Sequence, residues 1–311
     1  MVKFKSLKVM AVASLCASAI LVHTAFSAHA DSKEGDIYLT LGEDLTLKEK
    51  DIVYKNLNIE GTIPEDSIVY VTNEEEHKYL ASYISKQKIG STSLSSSKIE
   101  LGAKGSGLVV SIDENITYIT DAMYLNALAT SGVTDVNVMV TAPYKVSGTA
   151  ALTGILKTYE KTTGEKIPEE QKQVANEEMI TTAKLSEDIG DEKASEIITA
   201  IKSEISEEKE ATDLTDEALS TMIDIVAEQH GVTLSEENKK ALIDLMNSFK
   251  ELDIDWSGVV ATVDTAKEKM REQMKDLAET TPEEKEKVEG FFAFITDLLV
   301  NIKEFFGGLF S

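Results

Sequence analysis

Ser147, Gly148 and Thr149 stand where a strand-like run ending at Pro143 gives way to a helical run opening at Thr149. Small residues in such a turn suit a phosphate cradle, a nucleophile elbow, or an anion site on the helix's orphan N–H groups. A phosphate loop needs G-x-x-x-x-G-K-[ST]. Here Gly148 and Gly154 have five residues between them and Ile155-Leu156 follow, so the lysine and the metal-binding hydroxyl are both missing. An elbow needs glycine two positions either side of the serine, and Lys145 and Thr149 occupy those places around Ser147. The plain expectation is that Ser147 or Thr149 caps the helix by accepting its first N–H groups. Small residues there let the helix pack close to the strand before it. The alternative is an anion or ligand held by Ser147, Gly148 and Thr149, with Asn126 nearby. No residue is assigned a catalytic role.

Two acidic clusters could hold a metal. In Thr72-Asn-Glu-Glu-Glu-His77 three carboxylates precede a histidine. Thr72 with Glu75 three positions on is also a capping box, and acids suit the first turn of a helix. With no second histidine at helical spacing, capping is the expectation and zinc is not. In Asp253-Ile-Asp-Trp-Ser-Gly258, residues Asp253, Asp255 and Ser257 fall at positions 1, 3 and 5 of a calcium loop, Gly258 at 6 and Asp264 at 12. Trp256 is unusual at position 4, and Asp264 is shorter than the customary glutamate. Because Val259 to Leu277 reads as one helix, Asp264 is expected along it, with Asp255 or Ser257 as its cap. Calcium is the one cofactor these residues suggest.

Phe291, Ile295, Leu298, Leu299, Ile302, Phe305 and Phe306 form a stripe at helical spacing near the end of the chain. Docking of this helix on the rest of the helical half comes first. A partner-binding role for Phe291, Ile295, Leu299, Phe305 and Phe306 comes second, and membrane contact third. The run carries Asp297 and Glu304 against one lysine, so it lacks the basic flank of a membrane-surface helix.

Elements that would position these groups follow from the patterning. Residues 1–30 read as a secretory signal peptide: Lys3, Lys5 and Lys8, an apolar stretch, then Ala28-His29-Ala30 as a cleavage site. Its removal takes away the single cysteine, leaves His77 and His230, and moves the formal charge from −24 to −27. A chain so acidic is repelled by nucleic acid and anionic surfaces. From 31 to 184 the period keeps switching, which argues for an α+β or α/β domain, a mixed sheet with packed helices. Strands are expected at Asp66–Thr72, Asn115–Thr120 and Val136–Val140, helices at Asn73–Lys86, Ala122–Thr130 and Thr149–Lys161, and a hairpin or bulged pair across Ser97–Ile112. From 185 to 311 the pattern is all helical. Leu219, Met222, Ile223 and Val226 make one stripe, Leu242, Leu245, Met246 and Phe249 another, and Val259, Val263 and Ala266 a third. Thr215 and Ser235 are expected caps, and glutamate-rich Ile198–Glu210 a solvated helix or a linker.

Asn115-Ile-Thr-Tyr-Ile-Thr120, Met123-Tyr-Leu-Asn-Ala-Leu128 and Ala142-Pro-Tyr-Lys-Val-Ser-Gly-Thr-Ala-Ala-Leu-Thr-Gly154 resemble the YpuA-like proteins. Thr72-Asn-Glu-Glu-Glu-His-Lys-Tyr-Leu80, Lys88-Ile-Gly-Ser91 and Gln171–Met179 extend the likeness, which covers most of Leu39 to Ala183. These are secreted proteins of Bacillus and its relatives with no assigned activity. The resemblance implies export from a Gram-positive cell and supplies no catalytic residue. Two classes therefore stay open. A non-catalytic binding or scaffold module of the envelope or exterior, with an envelope protein or ligand as partner, is placed first. A secreted hydrolase at the Ser147 turn, using serine or paired carboxylates, is second.

Overall fold

The computed structural model describes residues 33–207 and 214–278. Its first half reads, in chain order, β1 (Ile37–Gly42), α1 (Leu47–Asn56), β2 (Ile68–Val71), α2 (Asn73–Leu80), α3 (Lys86–Ile89), β3 (Ser96–Leu101), β4 (Leu108–Ile112), α4 (Asp121–Thr130), β5 (Val136–Thr141) and α5 (Thr149–Thr163). Five helices follow: α6 (Glu169–Ile189), α7 (Asp191–Glu207), α8 (Asp216–Gln229), α9 (Glu236–Lys250) and α10 (Trp256–Ala278). The expected mixed sheet followed by helices is what the chain builds.

The sheet order is β2-β1-β3-β5-β4, with parallel pairs at both edges and antiparallel pairs in the middle. Ser97–Ile112 is not a hairpin. β5 lies between β3 and β4, so that Val138 faces Ile99 on one side and Val110 on the other. A parallel pair needs a long crossover rather than a tight turn, and α4 supplies it between β4 and β5. Val136, Val138 and Val140 are all buried there. Asn115–Thr120 forms no strand either: a single bridge joins Ile116 to Val146. Thr117 N donates to the Val146 carbonyl at 2.9 Å and Val146 N to the Asn115 carbonyl at 2.8 Å, which fastens this segment to the turn before α5.

The helix expected over Asn73–Lys86 ends at Leu80, and Ser85 starts the short α3 by accepting from Lys88 N. α5 packs mainly on β1, β2 and β3 and less on β5, the strand before it. Gly154 permits this, since a Cβ there would meet Thr40 Cγ2 at 2.1 Å and Val71 Cγ2 at 2.7 Å.

Thr215 and Ser235 cap α8 and α9 as expected, accepting from Ala218 N at 3.3 Å and Asn238 N at 3.1 Å. Ile198–Glu207 is neither a linker nor a solvated helix. Ile197, Ile198, Ile201 and Ile205 of α7 are buried in a cluster with α8 and α9. The glutamates dominate the composition, but the isoleucines at helical spacing decide the packing. α6 runs unbroken from Glu169 to Ile189, giving Met179, Ile180 and Ala183 to the core beside the sheet and Val174 and Leu185 to the helical core. Among the described residues, no helix is long and apolar enough to cross a membrane.

Candidate functional site

The start of α5 does not carry the expected side-chain cap. Its N-cap is Gly148, at φ 92°, and no side chain accepts there. Thr149 N reaches the Ser147 hydroxyl only at 3.5 Å. The left-handed turn explains this: it carries the Ser147 hydroxyl to the edge of hydrogen-bonding range and leaves the Thr149 hydroxyl facing α2. There Thr149 Oγ1 donates to Glu76 Oε1 at 2.5 Å, and Ser147 Oγ lies 2.9 Å from Thr149 Oγ1. A carboxyl and two hydroxyls thus form one chain.

Glu76 reaches this position because α2 is pinned at its start. Thr72 and Glu75 make the expected capping box, with Glu75 N to Thr72 Oγ1 at 3.0 Å and Thr72 N to Glu75 Oε2 at 2.9 Å. The next residue then turns inward. Glu76 is 1% exposed, and Asn73 Nδ2 donates to its second oxygen at 3.3 Å. Burial pushes the Glu76 carboxyl up to about 7, against the hydrogen bonds from Thr149 and Asn73, which favour its charged form.

Gly148 is held from the other side. The hydroxyl of fully buried Tyr124, on α4, donates to the Gly148 carbonyl. Burial, and then the Glu76 charge, raises that phenol well above its usual range. His77 Nε2 lies 3.0 Å from the Gly90 carbonyl, so it ties α2 to the loop after α3.

A cleft of about 260 Å³ opens here, lined among others by Glu76, Lys88, Ser95, Tyr144, Ser147 and Thr149. Lys88, at its rim, pairs with Glu187 of α6 and sits 4.7 Å above the Tyr118 ring. The cleft holds a single carboxyl among its lining residues, where a hydrolase working by two carboxylates needs a pair.

Asn126 belongs elsewhere. It is 1% exposed and accepts from Thr199 Oγ1 at 3.2 Å, while Lys202 Nζ donates to its carbonyl at 3.2 Å. Lys202 also donates to Glu178 at 2.7 Å, and both side chains are fully buried. Asn126 therefore joins α4 to α7 and takes no part in the cleft. Asp253 and Asp255 precede α10, whereas Ser257 and Asp264 ride on it. Asp255 caps the helix through Gly258 N at 3.1 Å. Burial raises the Asp264 carboxyl. Among the described residues, no group of three His, Cys, Asp or Glu is placed to hold a metal. Phe291, Ile295, Leu299, Phe305 and Phe306 lie outside the described residues, as do residues 1–30.

Glu76 and Tyr124 are the site residues that sequence reasoning missed. Glu76 was one of three adjacent acids in a first turn. The one local hint is that Glu75 is already used by the capping box, so the following acid has no capping role.

Fold and cleft together define a small mixed-sheet unit with helices behind it and a polar, hydroxyl-lined recess at one helix start. The chain belongs to the family described as Protein of unknown function (DUF1002), whose model matches residues 41–266. It is 42% identical over 289 residues to the Uncharacterized protein YpuA of Bacillus subtilis (strain 168), across 93% of this chain and 97% of that protein. No solved structure matches it.

Proposed function

We propose that this protein is exported, loses residues 1–30, and serves outside the cytoplasm as a non-catalytic binding module whose ligand enters the cleft between α2, α3 and the start of α5. The observation that carries this reading is the buried Glu76 carboxyl at the cleft. Burying a carboxyl away from its ordinary range is costly, and such groups concentrate at functional recesses. Convergent hydroxyls with one acid suit holding a polar ligand. The leader-like residues 1–30 and the acidity of the remainder support an extracellular setting.

Two measurements test it. N-terminal sequencing of protein from culture fluid and envelope fractions should begin at Asp31, and an intact Met1 form confined to the cytosol overturns export. Amide chemical shifts recorded against wall saccharides, stem peptides and lipids should change at 73–76, 88–95 and 144–150. A map with no change there for any component overturns the cleft.

A hydrolase is the second reading, favoured by the Ser147–Thr149–Glu76 chain, which could lead a proton from Ser147 towards the carboxyl. Turnover of any wall component that Ser147→Ala abolishes would replace the first reading with this one.

A further inference from the structure

Resting on the reading of the cleft as a ligand site, we infer that its ligand is a neutral, polyhydroxylated molecule of saccharide type and not an anion. A helix start ordinarily attracts a phosphate or carboxylate. Here a negative group already stands at the helix start: the Glu76 carboxyl accepts from the side-chain hydroxyl of Thr149, the first residue of α5. With Glu76 ionised, a second negative group in the cleft would stand beside a like charge, and the two repel. Lys88, a cation at the rim, has its charge matched by Glu187. The cleft thus offers an incoming anion little uncompensated positive charge.

The remaining chemistry suits hydroxyls. Ser95, Ser147 and Thr149 line the cleft with Glu76, and an aliphatic hydroxyl both donates and accepts. Vicinal sugar hydroxyls do the same, so each can pair with this set without leaving a buried group unsatisfied. Tyr144, 50% exposed at the same cleft, adds an aromatic face against which the C–H side of a sugar ring can lie. At about 260 Å³ the recess is at the small end of ligand pockets, room for one ring and not for an extended chain.

The test uses the protein purified from its producing cells, titrated by calorimetry and amide chemical shifts with glucose, N-acetylglucosamine, their 6-phosphates and inorganic phosphate. A neutral sugar should saturate with shifts centred on 76, 144 and 147–150. Tyr144→Ala, an exposed position whose loss leaves the core intact, should weaken it at least about fivefold, the share of one aromatic contact. Each 6-phosphate should bind more weakly than its parent sugar. Tighter binding of a 6-phosphate or of phosphate at the same residues overturns the ligand class while leaving the cleft in place. If no sugar or phosphate shifts these residues but a stem peptide does, the ligand class also falls and the cleft stands. If nothing shifts them, both fall.

Discussion

Thr149 and Glu76, separated by 73 residues, meet at 2.5 Å, and this contact joins the first turn of α5 to α2. It holds the two helices together beside a helix start whose N-cap, Gly148, has no side chain to cap with. The consequences are measurable.

The pH dependence of stability should carry a Glu76 component. Its folded value, about 7, lies above the ordinary 4.5, so the folded chain binds more protons than the unfolded chain between these values. Stability therefore falls as pH rises from about 4.5 to about 7, by on the order of 3 kcal/mol for this group, and is flat above. Glu177 and Asp264, also raised by burial, act in the same sense. Glu75, lowered by the combined bonds from Lys157 and Thr72 against its burial, acts in the opposite one. Urea unfolding at pH 5 and pH 8 isolates the Glu76 share: Glu76→Gln should gain stability relative to the parent at pH 8 compared with pH 5. Parallel behaviour of the two proteins would refute the buried carboxyl.

Gly148→Ala should destabilise by about 2–5 kcal/mol. The φ of 92° costs any L side chain about 1–2 kcal/mol. A Cβ would also meet Ile116 Cγ2 at 2.6 Å and the Tyr124 hydroxyl at 2.8 Å, which adds an overpacking cost of about 1–3 kcal/mol. Gly61→Ala shares the positive φ, 82°, with nothing within 4 Å, and should cost only about 1–2 kcal/mol. Equal losses in the two variants would show that the turn is not closely packed.

Lys202 and Glu178 form a fully buried pair at 2.7 Å between α7 and α6, with Thr130 donating to Glu178 at 2.6 Å. Lys202→Met strands a buried carboxylate and should cost about 3–5 kcal/mol. Adding Glu178→Leu should restore most of that loss, because an apolar pair of similar volume needs no counter-charge. If the double variant is no better than the single one, the pair contributes more than mutual compensation.

Calcium up to millimolar levels should leave Trp256 emission unchanged, since α10 already begins at that residue and Asp255 is engaged by Gly258 N. A saturable change removed by Asp253→Asn would establish the loop as a weak calcium site.

Apolar stripes and several helix caps act locally, so the sequence by itself determined them. The isoleucine, leucine and valine stripes of α8, α9 and α10, the capping box at Thr72, and the caps at Thr215 and Ser235 each depend on neighbours within one or two turns. Strand partners do not. Alternation marked Val136–Val140 as a strand, but only competition among all possible pairings put β5 between β3 and β4 and left Asn115–Thr120 with one bridge. Ile37–Gly42, an interior strand, went unread because a short apolar run is ambiguous until its neighbours are known, and α1 went unread although Thr46 and Glu49 mark its start with a capping box. The same division applies to charge. Composition made α7 look solvated, whereas burial of Lys202 against Glu178 depends on α6, 24 residues away. Whether an acid at 76 faces water or a buried hydroxyl is decided by where α5 lands on the sheet, a long-range packing outcome that no local pattern encodes.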